Sequence, residues 1–440
     1  MSNIQQQLGG LGIAIPDILL PAAGVDIEKW AVIACDQFTQ DRNYWARVKN
    51  ASLNAPSALN LVFPEVFLAD GERERRIAGI HHSMEHYLRE GIFAASRRGF
   101  VYVERDTPFQ QGRRGLVVAV DLERYDWSPA SRPLIRSTEG TVPERLPPRM
   151  DIRRNAPLEI PHILLLIDDD TGSLLPVLAE RAKKRPPVYQ TALMLNSGRV
   201  GGWFLDADDD WAFIAERLGE LARRSVTRYA SSGIDHDGQP FLFAVGDGNH
   251  SLAAARGIWE EYKAACGGLS EHPCRYALVE IENIYDPAIT FEPIHRIVFD
   301  IGFDEILNLL SALPGFSSRP AGGRAELVRL TGEPSEGSRF GIVSHNRFAL
   351  VETSADGIAT ASLQPLLDRT PFPVDYIHGA DELFRLAAAG ERPAAGILLP
   401  PVKKSGLFET VARSGPLPRK SFSMGEAEEK RFYIECRKLF

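Results

Sequence analysis

A strand-sized apolar run that ends in a glycine turn and leads directly into an alanine-rich run is the feature that most constrains this chain. Residues 241–245 are apolar, Gly246-Asp247-Gly248 follow, and Asn249-His250-Ser251 open the next run. This order predicts a strand, a tight turn and the N-terminus of a helix. Unpaired backbone N–H groups and the positive end of the helix dipole meet at such a point. The sequence therefore predicts an anion or phosphate site there.

The side chains of this turn add reactive groups to the predicted site. Asp247 has the chemistry of a divalent-metal ligand or of a base, and His250 that of an acid, a base or a phosphate donor. The other predicted ligand contacts are two glycines that let a ligand approach the backbone and two hydrogen-bonding side chains, namely Gly246, Gly248, Asn249 and Ser251. In a second interpretation Asp247 or Asn249 caps the helix and His250 is an ordinary hydrogen-bonded side chain, since caps of this type begin many helices.

A cluster of arginines follows a short predicted strand. Arg136, Thr138 and Glu139 lie close together, and four further arginines come soon after them, at positions 145, 149, 153 and 154. Arginines bind phosphate and carboxylate groups through paired hydrogen bonds. Arg136 and Thr138 are therefore predicted ligand contacts, and Glu139 is a candidate general base. A solvated basic loop is the alternative interpretation.

Three further segments carry candidate residues. Asp36 closes an apolar run that starts at Trp30, so it is a candidate base at a strand end. The pair His295-Arg296 has the chemistry to clamp an anion, although strand alternation would place the two side chains on opposite faces. Lys420 belongs to a basic pair beside two serines near the C-terminus, where a solvated terminal helix and its cap is the alternative.

Hydrophobic periodicity predicts a mixed α/β fold with mixed sheets and flanking helices. Apolar residues recur at three and four over 72–92, which is typical of a helix. Short β-branched or apolar runs at 99–104, 116–121 and 163–167 predict strands. The predicted strand–turn–helix phosphate element lies in the central part of the chain.

The domain boundaries are read from breaks in this pattern. We expect an N-terminal α/β domain over residues 1–130 and a central and C-terminal α/β domain over 131–440. The stretch 314–323 is rich in Gly, Ser and Pro and is the best candidate for a linker.

The composition limits the classes of ligand. The 440 residues carry 50 Lys and Arg against 58 Asp and Glu, a formal net charge of −8. Such a surface repels nucleic acid and anionic membranes, so a small molecule or nucleotide is the expected ligand. Residues 1–10 lack the pattern of a signal peptide, no uncharged apolar run approaches about 20 residues, and the four cysteines lack metal spacing. These features predict a cytoplasmic protein.

Four segments together resemble a known family. They are Trp30-Ala31-Val32-Ile33-Ala34-Cys35-Asp36-Gln37, Gly246-Asp247-Gly248-Asn249-His250-Ser251, His295-Arg296 and Pro418-Arg419-Lys420-Ser421-Phe422-Ser423-Met424-Gly425. The chain resembles a widespread bacterial family that is known only as domain of unknown function 1015. The resemblance runs from Trp30 to Lys438 and implies a family without implying an activity.

The central segment also has a more distant likeness. Its commonest form in that family, Asp-Gly-His-His-Arg, is similar to the strand–turn–helix phosphate site of the ParB/sulfiredoxin superfamily. That superfamily includes chromosome-partition CTPases, sulfiredoxin and an archaeal free-serine kinase, in which basic residues of the motif bind nucleotide phosphates. Asp247, Gly248 and His250 match the motif, whereas Asn249 replaces its first histidine and Ser251 its arginine. The likeness implies a nucleotide site at which Arg136 or Lys420 supplies the missing charge.

These observations favour a nucleotide-dependent kinase of a small hydroxyl metabolite. A nucleotide and Mg²⁺ are the expected cofactors, with phosphate on the backbone amides of residues 249–252, the metal on Asp247, and Glu139 or Asp36 as base. One alternative is a regulatory protein that binds a nucleotide or anion without turnover. Another is a metal-dependent hydrolase with Asp36, Asp247 and His250 around the metal. A DNA-binding partition-like protein fits poorly, because the chain is acidic.

Overall fold

The chain forms two compact units. The computed structural model describes residues 2–234, 238–355, 358–388 and 392–440. The first unit comprises Met1–Ile289 together with Glu426–Phe440, and the second comprises Thr290–Gly425. The predicted boundary near residue 130 lies inside the first unit.

The long N-terminal part of the first unit alternates helices and strands. Its helices are α1 (Asn3–Gly10), α2 (Ile27–Trp30), α3 (Arg42–Ala51), α4 (Arg73–Arg89), α5 (Leu146–Arg153), α6 (Leu175–Ala182), α7 (Asp208–Ser231) and α8 (Asn249–Ala265). Its strands are β1 (Ile13–Ala14), β2 (Asp17–Ile18), β3 (Val32–Ile33), β4 (Arg97–Arg98), β5 (Phe100–Asp106), β6 (Arg113–Asp121), β7 (Tyr125–Asp126), β8 (Ile135–Ser137), β9 (Leu158–Glu159), β10 (Leu164–Ile167), β11 (Tyr189–Ala192), β12 (Arg199–Leu205), β13 (Phe243–Asp247) and β14 (Tyr276–Asn283).

The second unit follows, and a short C-terminal segment then returns to the first. The strands of the second unit are β15 (Phe291–Phe299), β16 (Ser317–Pro320), β17 (Arg339–Ser344), β18 (Arg347–Glu352), β19 (Val374–His378), β20 (Ala394–Leu398) and β21 (Phe422–Met424). Its helices are α9 (Phe303–Leu310), α10 (Arg324–Gly332), α11 (Ala359–Leu367), α12 (Ala380–Ala388) and α13 (Leu407–Ser414). The returning segment adds β22 (Phe432–Tyr433) and β23 (Arg437–Lys438).

Each unit is built on one large mixed sheet. In the first unit the strand order is β11-β12-β5-β6-β14-β10-β13-β8-β7, with β1 added beside β6. In the second unit it is β16-β18-β17-β20-β15-β19, with β21 added beside β15. Most neighbours are antiparallel, while β10 runs parallel to β14, and β13 and β7 run parallel to β8. The mixed α/β class predicted from the sequence is confirmed.

The predicted elements are found with shifted ends, and one prediction is wrong. The predicted helix over 72–92 is α4, and the predicted strands over 99–104 and 116–121 are β5 and β6. The predicted linker over 314–323 instead contains β16, an exposed edge strand that pairs with β18. Its small polar residues suit the outer edge of a sheet as well as a flexible linker.

Apolar side chains cover both faces of the sheet in the first unit. Along β5, Phe100 and Tyr102 belong to one buried cluster, and Val101 and Val103 belong to the other. This is the alternation expected of a strand whose two faces are both packed. None of the helices in the described part of the chain is both long and apolar enough to cross a membrane.

A network of buried charges crosses the centre of this sheet. Glu282 on β14 accepts hydrogen bonds from Arg105 and Arg113 at 2.7 Å, and Glu280 accepts from Arg105 and Arg431 at 2.9 Å. No side chain in this group is more than 3% exposed. Burial alone would raise the pKa of Glu282, but the two arginines bring it below its ordinary value. Glu282 is therefore a carboxylate, and Arg431 ties the C-terminal segment to the sheet.

We predict that Glu282→Gln destabilises the first unit by about 3–5 kcal/mol, because the buried Arg113 then loses its carboxylate partner and Arg105 keeps only Glu280. All six tryptophans lie in the first unit, so tryptophan fluorescence during urea denaturation reports on this unit alone. The matched control is Glu216→Gln, whose side chain is 60% exposed and pairs with Arg217. This control should change the free energy of unfolding by less than about 1 kcal/mol. Equal effects of the two substitutions would contradict the assigned role.

Candidate functional site

Three connections meet at one edge of the sheet in the first unit. Strand β13 runs parallel to β8, with Val245 opposite Ser137, so the loops that follow both strands lie on the same side. Strand β10 runs antiparallel to β13, with Leu164 opposite Asp247, so the residues just before β10 reach the same edge. The register shifts there, because Leu165 pairs with Val245 and Gly246 is the extra residue of a bulge.

Helix α8 begins at this edge with a glycine cap. Gly248 has the left-handed φ of +76°, and a Cβ atom at this position would lie 3.0 Å from the Cα atom of Ile163. Conformation and space both require glycine. The interpretation in which Asp247 or Asn249 caps the helix is wrong: Gly248 is the N-cap, and it supplies no side-chain hydrogen bond to the first turn. Asp247 instead accepts a hydrogen bond from the Gly248 amide at 2.9 Å.

A histidine that the sequence did not single out lies at the centre of the site. Nε2 of His162 lies 3.5 Å from Oδ2 of Asp36 and 3.1 Å from Oγ of Ser251, the third residue of α8. Its Nδ1 atom lies 2.8 Å from the hydroxyl of Tyr433. That hydroxyl also accepts a hydrogen bond from the Cys35 amide at 3.1 Å. Strand β22 brings Tyr433 here by pairing with β3, just before Asp36 in the chain.

The charges of this cluster favour an ion pair. Burial acts to lower the pKa of His162, but the carboxylates of Asp36 and Asp247 outweigh it and raise this pKa above 6.5. Burial also opposes ionisation of Asp36, yet His162 and Lys430 bring the pKa of Asp36 well below its usual range. The ion pair of a protonated His162 with an ionised Asp36 is therefore favoured over the neutral pair.

A buried lysine pairs with the aspartate of the turn. Nζ of Lys430 lies 3.1 Å from Oδ2 of Asp247, and the lysine side chain is only 7% exposed. Lys430 precedes Arg431, which the buried charge network holds against Glu280. The ammonium group of Lys430 is thus held against Asp247, which lies two residues before the first residue of α8. The sequence predicted a ligand contact at Lys420, whereas the lysine beside Asp247 in the structure is Lys430.

Asn249 and His250 connect the turn to the loop after β8. The amide group of Asn249 donates to the Glu139 carbonyl at 3.0 Å and to Thr141 Oγ1 at 2.9 Å, and its oxygen accepts from Ser137 at 2.6 Å. Nε2 of His250 accepts a hydrogen bond from the Val142 amide at 3.1 Å. An accepting ring nitrogen carries no proton, so the imidazole of His250 is neutral in this arrangement. Both side chains hold the loop against the helix.

Thr138 and Arg136 have structural contacts in the first unit. Thr138 donates to the Val245 carbonyl at 2.6 Å, which joins β8 to β13. Arg136 is 5% exposed, donates to the Pro133 carbonyl and lies 4.5 Å from the ring centre of Phe241. Burial lowers the pKa of Arg136 to about 10. Nη2 of Arg136 is buried without a hydrogen-bond partner among the described residues. Ligand binding by Arg136 and Thr138 stays a prediction.

The remaining predicted contacts belong to the second unit. His295 and Arg296 lie next to each other on β15, and both are buried. His295 accepts a hydrogen bond from the Leu399 amide, while Arg296 donates to Gln364 at 2.8 Å and stacks on Tyr376. Burial lowers the pKa of His295 to about 4. Lys420 has a left-handed φ of +61° just before β21. A ligand role for these three residues stays a prediction.

The donor set does not form a protein metal cage. Within the described residues, no group of three or more His, Cys, Asp or Glu side chains is placed to hold a metal ion. Asp247, the predicted metal ligand, is engaged by the ammonium group of Lys430. Mg²⁺ is usually bound by one or two carboxylates together with substrate phosphates. Asp247, as it is paired here with Lys430, therefore does not fit a resident metal.

The side chains that complete the site gave weak signals in the sequence. His162 follows Pro161 directly before the apolar run 163–167, and Lys430 and Tyr433 lie in a charged C-terminal stretch that reads as a solvated helix. That stretch forms β22 and β23 instead, and Arg431 and Tyr433 are buried. The order Lys430-Arg431-Phe432-Tyr433 has no period-two alternation, so no local pattern predicted this strand.

Two cavities open in the first unit. One of about 130 Å³ is lined by His162, Ser251 and Tyr433 together with apolar and charged residues. The other is a cleft of about 790 Å³ next to β1 and β23. None of the predicted site residues lines this larger cleft, so the smaller cavity is the one that adjoins the reactive groups.

The chain belongs to a family without an assigned activity. A family model described as "Protein of unknown function (DUF1015)" matches residues 19–370. This match confirms the family predicted from the sequence. Lys430 and Tyr433 lie beyond the matched residues. No curated protein matches the chain at a significant level.

Several solved structures are similar at low identity. Free serine kinase in complex with AMP shares 13% identity, with a TM-score of 0.37, and the match covers 73% of this chain and 92% of that one. A conserved hypothetical protein from Pyrococcus furiosus shares 12%, with a TM-score of 0.36 and coverage of 73% and 95%. SbnI with C-terminal truncation from Staphylococcus aureus shares 12%, with a TM-score of 0.35 and coverage of 72% and 82%. Likenesses with TM-scores below 0.5 assign neither an activity nor a ligand to this chain.

We predict that Asp36→Asn lowers the pKa of His162, because the main charge that opposes the effect of burial is removed. The pKa is measured from the imidazole carbon shifts of isotope-labelled protein during a pH titration. In the wild type, the raised pKa stabilises the fold fully below pH 6.5, and this contribution is lost as the pH rises through the folded-state pKa. In the variant this contribution should shrink. A His162 pKa that is equal in both proteins would contradict the ion pair.

Proposed function

We propose that the first unit is a small-molecule kinase that binds nucleotide phosphates at the N-terminus of α8 and transfers a phosphoryl group to a hydroxyl metabolite. The observation that supports this most is the Lys430–Asp247 pair at the start of α8, in the same cluster as the Asp36–His162 pair. Lys430 and the start of α8 have the chemistry to hold an anion, and Asp36 with His162 has the chemistry to accept a proton.

Phosphate binding is assigned to the backbone of the first turn and to Lys430. Gly248 adds no side chain above the turn, so a phosphate can approach the amides of α8. Lys430 supplies a point charge of the kind that binds phosphate in many proteins. In this proposal Lys430 supplies the positive charge that the sequence analysis expected from Arg136 or Lys420. Asp247 positions the ammonium group.

Proton handling is assigned to Asp36, with His162 orienting it. The acceptor's hydroxyl oxygen forms a bond to the terminal phosphorus of the nucleotide, and the bond from that phosphorus to its bridging oxygen breaks. The electron pair of the broken bond leaves with the shortened nucleotide, and the hydroxyl proton passes to the Asp36 carboxylate. In a loose transition state this proton is transferred late, so a carboxylate of low pKa suffices to orient the hydroxyl. Glu139 remains a second candidate for the base.

A regulatory protein that binds a nucleotide or anion without turnover is the second candidate function. The low pKa of Asp36 favours it, because a carboxylate that holds protons weakly is a poor general base. The same groups would then hold the ligand, and no product would form.

We predict that Lys430→Met weakens nucleotide binding by about 10- to 100-fold, because a charge-assisted hydrogen bond of about 1.5–3 kcal/mol is lost. Thermal shift with ATP, ADP, phosphate and sulfate, each with and without Mg²⁺, checks this result. The double variant Lys430→Met with Asp247→Asn removes the pair without leaving a lone buried carboxylate. Lys49→Met, at an exposed position of α3, is the matched control. Undiminished binding by the double variant would contradict the phosphate role.

We predict that Asp36→Asn lowers kcat by about 100-fold or more while nucleotide affinity changes little. Product formation is followed by phosphorus NMR with ATP, Mg²⁺ and a panel of small alcohols. Asp209→Asn, at an exposed position in the first turn of α7, is the matched control. Normal turnover by Asp36→Asn would exclude its role as base. Nucleotide binding by the wild type without any product would favour the regulatory protein.

A further inference from the structure

The smaller cavity in the first unit has an apolar inner wall. It measures about 130 Å³ and opens beside the contact between His162 and Ser251. The side chains of its inner wall are no more than 6% exposed, and they are Leu61, Val62, Phe63, Met84, Ala156 and Leu158. A wall of this composition favours a hydrocarbon surface, because burial of apolar area is stabilising.

The polar groups of the cavity lie together, and its charges are already matched. His162, Ser251 and Tyr433 line the end next to α8 and are within hydrogen-bond distance of one another through the imidazole. The other charged lining residues form two ion pairs, Glu65 with Arg149 and Arg153 with Glu159. Each of these charged lining residues already has a partner of opposite charge. A charged ligand would therefore lose its hydration in the cavity without gaining an ion pair.

The volume limits the size of the occupant. An engineered protein cavity of roughly 150 Å³ with an apolar lining binds benzene. A cavity of about 130 Å³ therefore holds a body of roughly six non-hydrogen atoms. A nucleotide is far larger than this, so the cavity does not hold the phosphate donor.

We propose that the cavity binds the acceptor, a neutral alcohol with a compact hydrocarbon body of roughly six non-hydrogen atoms. Its hydroxyl group lies at the end formed by Ser251 and His162, next to Asp36 and the first turn of α8. Its hydrocarbon body lies against the apolar wall. This inference rests on the proposed kinase function, since it names the acceptor of that site.

The test measures alcohol binding separately from nucleotide binding. The dissociation constant of n-pentanol is measured by ligand-observed NMR without nucleotide. Two comparison ligands are n-nonanol, which is too long, and the amino alcohol of pentanol's length with a terminal ammonium group. We expect n-pentanol to bind at least about tenfold more tightly than either one, because of the limited volume and the cost of burying an unpaired charge.

Variants locate the binding in the cavity. Ala156→Leu fills the inner wall, and Leu68→Trp narrows the cavity from a half-buried position where a larger side chain is easier to accommodate. Each variant should weaken n-pentanol binding by about tenfold or more. An unchanged unfolding transition shows that the variant protein is folded. Ala230→Leu, at an exposed position on α7, is the matched control and should leave the affinity unchanged.

The outcomes separate this inference from the kinase proposal. Absence of pentanol binding, or binding that neither cavity variant weakens, overturns the ligand class even if nucleotides bind normally. Cavity-dependent pentanol binding by a protein that binds no nucleotide supports the ligand class and overturns the kinase function. Pentanol binding together with phosphorylated pentanol in the kinase assay supports both.

Discussion

The pairing of buried charges on β14 is the interaction on which the rest of the first unit depends. Glu280 and Glu282 lie near the centre of the sheet, where an unpaired carboxylate would cost several kcal/mol. Arg105 and Arg113 come from neighbouring strands, whereas Arg431 comes from the C-terminal segment. The segment is therefore held in the sheet by charge as well as by its apolar residues. Because Lys430 and Tyr433 flank this arginine closely, the same network sets the positions of two residues of the candidate site.

The site combines four pieces of chain that are far apart in sequence. The antiparallel pairing of β10 with β13 places His162 beside the start of α8, and the pairing of β3 with β22 places Asp36 beside Tyr433. The helix terminus supplies a positive potential, while Asp36, His162, Asp247 and Lys430 bring two charges of each sign. In the proposed function, the phosphate of a ligand is bound by rearranged contacts of Lys430 and by the backbone of the first turn.

Local signals in the sequence identified the part of the site that is continuous in the chain. The run 241–252 predicted a strand, a glycine turn and a helix, and it also marked Asp247 and Ser251, because each step depends on neighbouring residues. The partners of these residues depend on strand pairing over long distances, which local periodicity does not report. His162 sits 89 residues from Ser251 along the chain. Lys430 reads as one charge among many until the structure shows it buried beside Asp247. The arginines after β8 show the converse case, since Arg149 and Arg153 stand out in the sequence, and the structure pairs them with Glu65 and Glu159.

The choice between a kinase and a binding protein depends on the protonation of one pair. Asp36 is stabilised as a carboxylate by His162, so it accepts a proton reluctantly in the resting protein. A bound phosphate would add negative charge beside His162 and draw on the same positive groups. Asp36 would then share the positive charges of His162 and Lys430 with the phosphate. The pKa of Asp36 would therefore rise towards the range of a useful base. In that case nucleotide binding itself would prepare Asp36 for the acceptor's proton. A protein that only binds its ligand does not need the ionisable Asp36–His162 pair beside an apolar cavity of the size of a small alcohol. This combination makes the kinase the stronger of the two proposals.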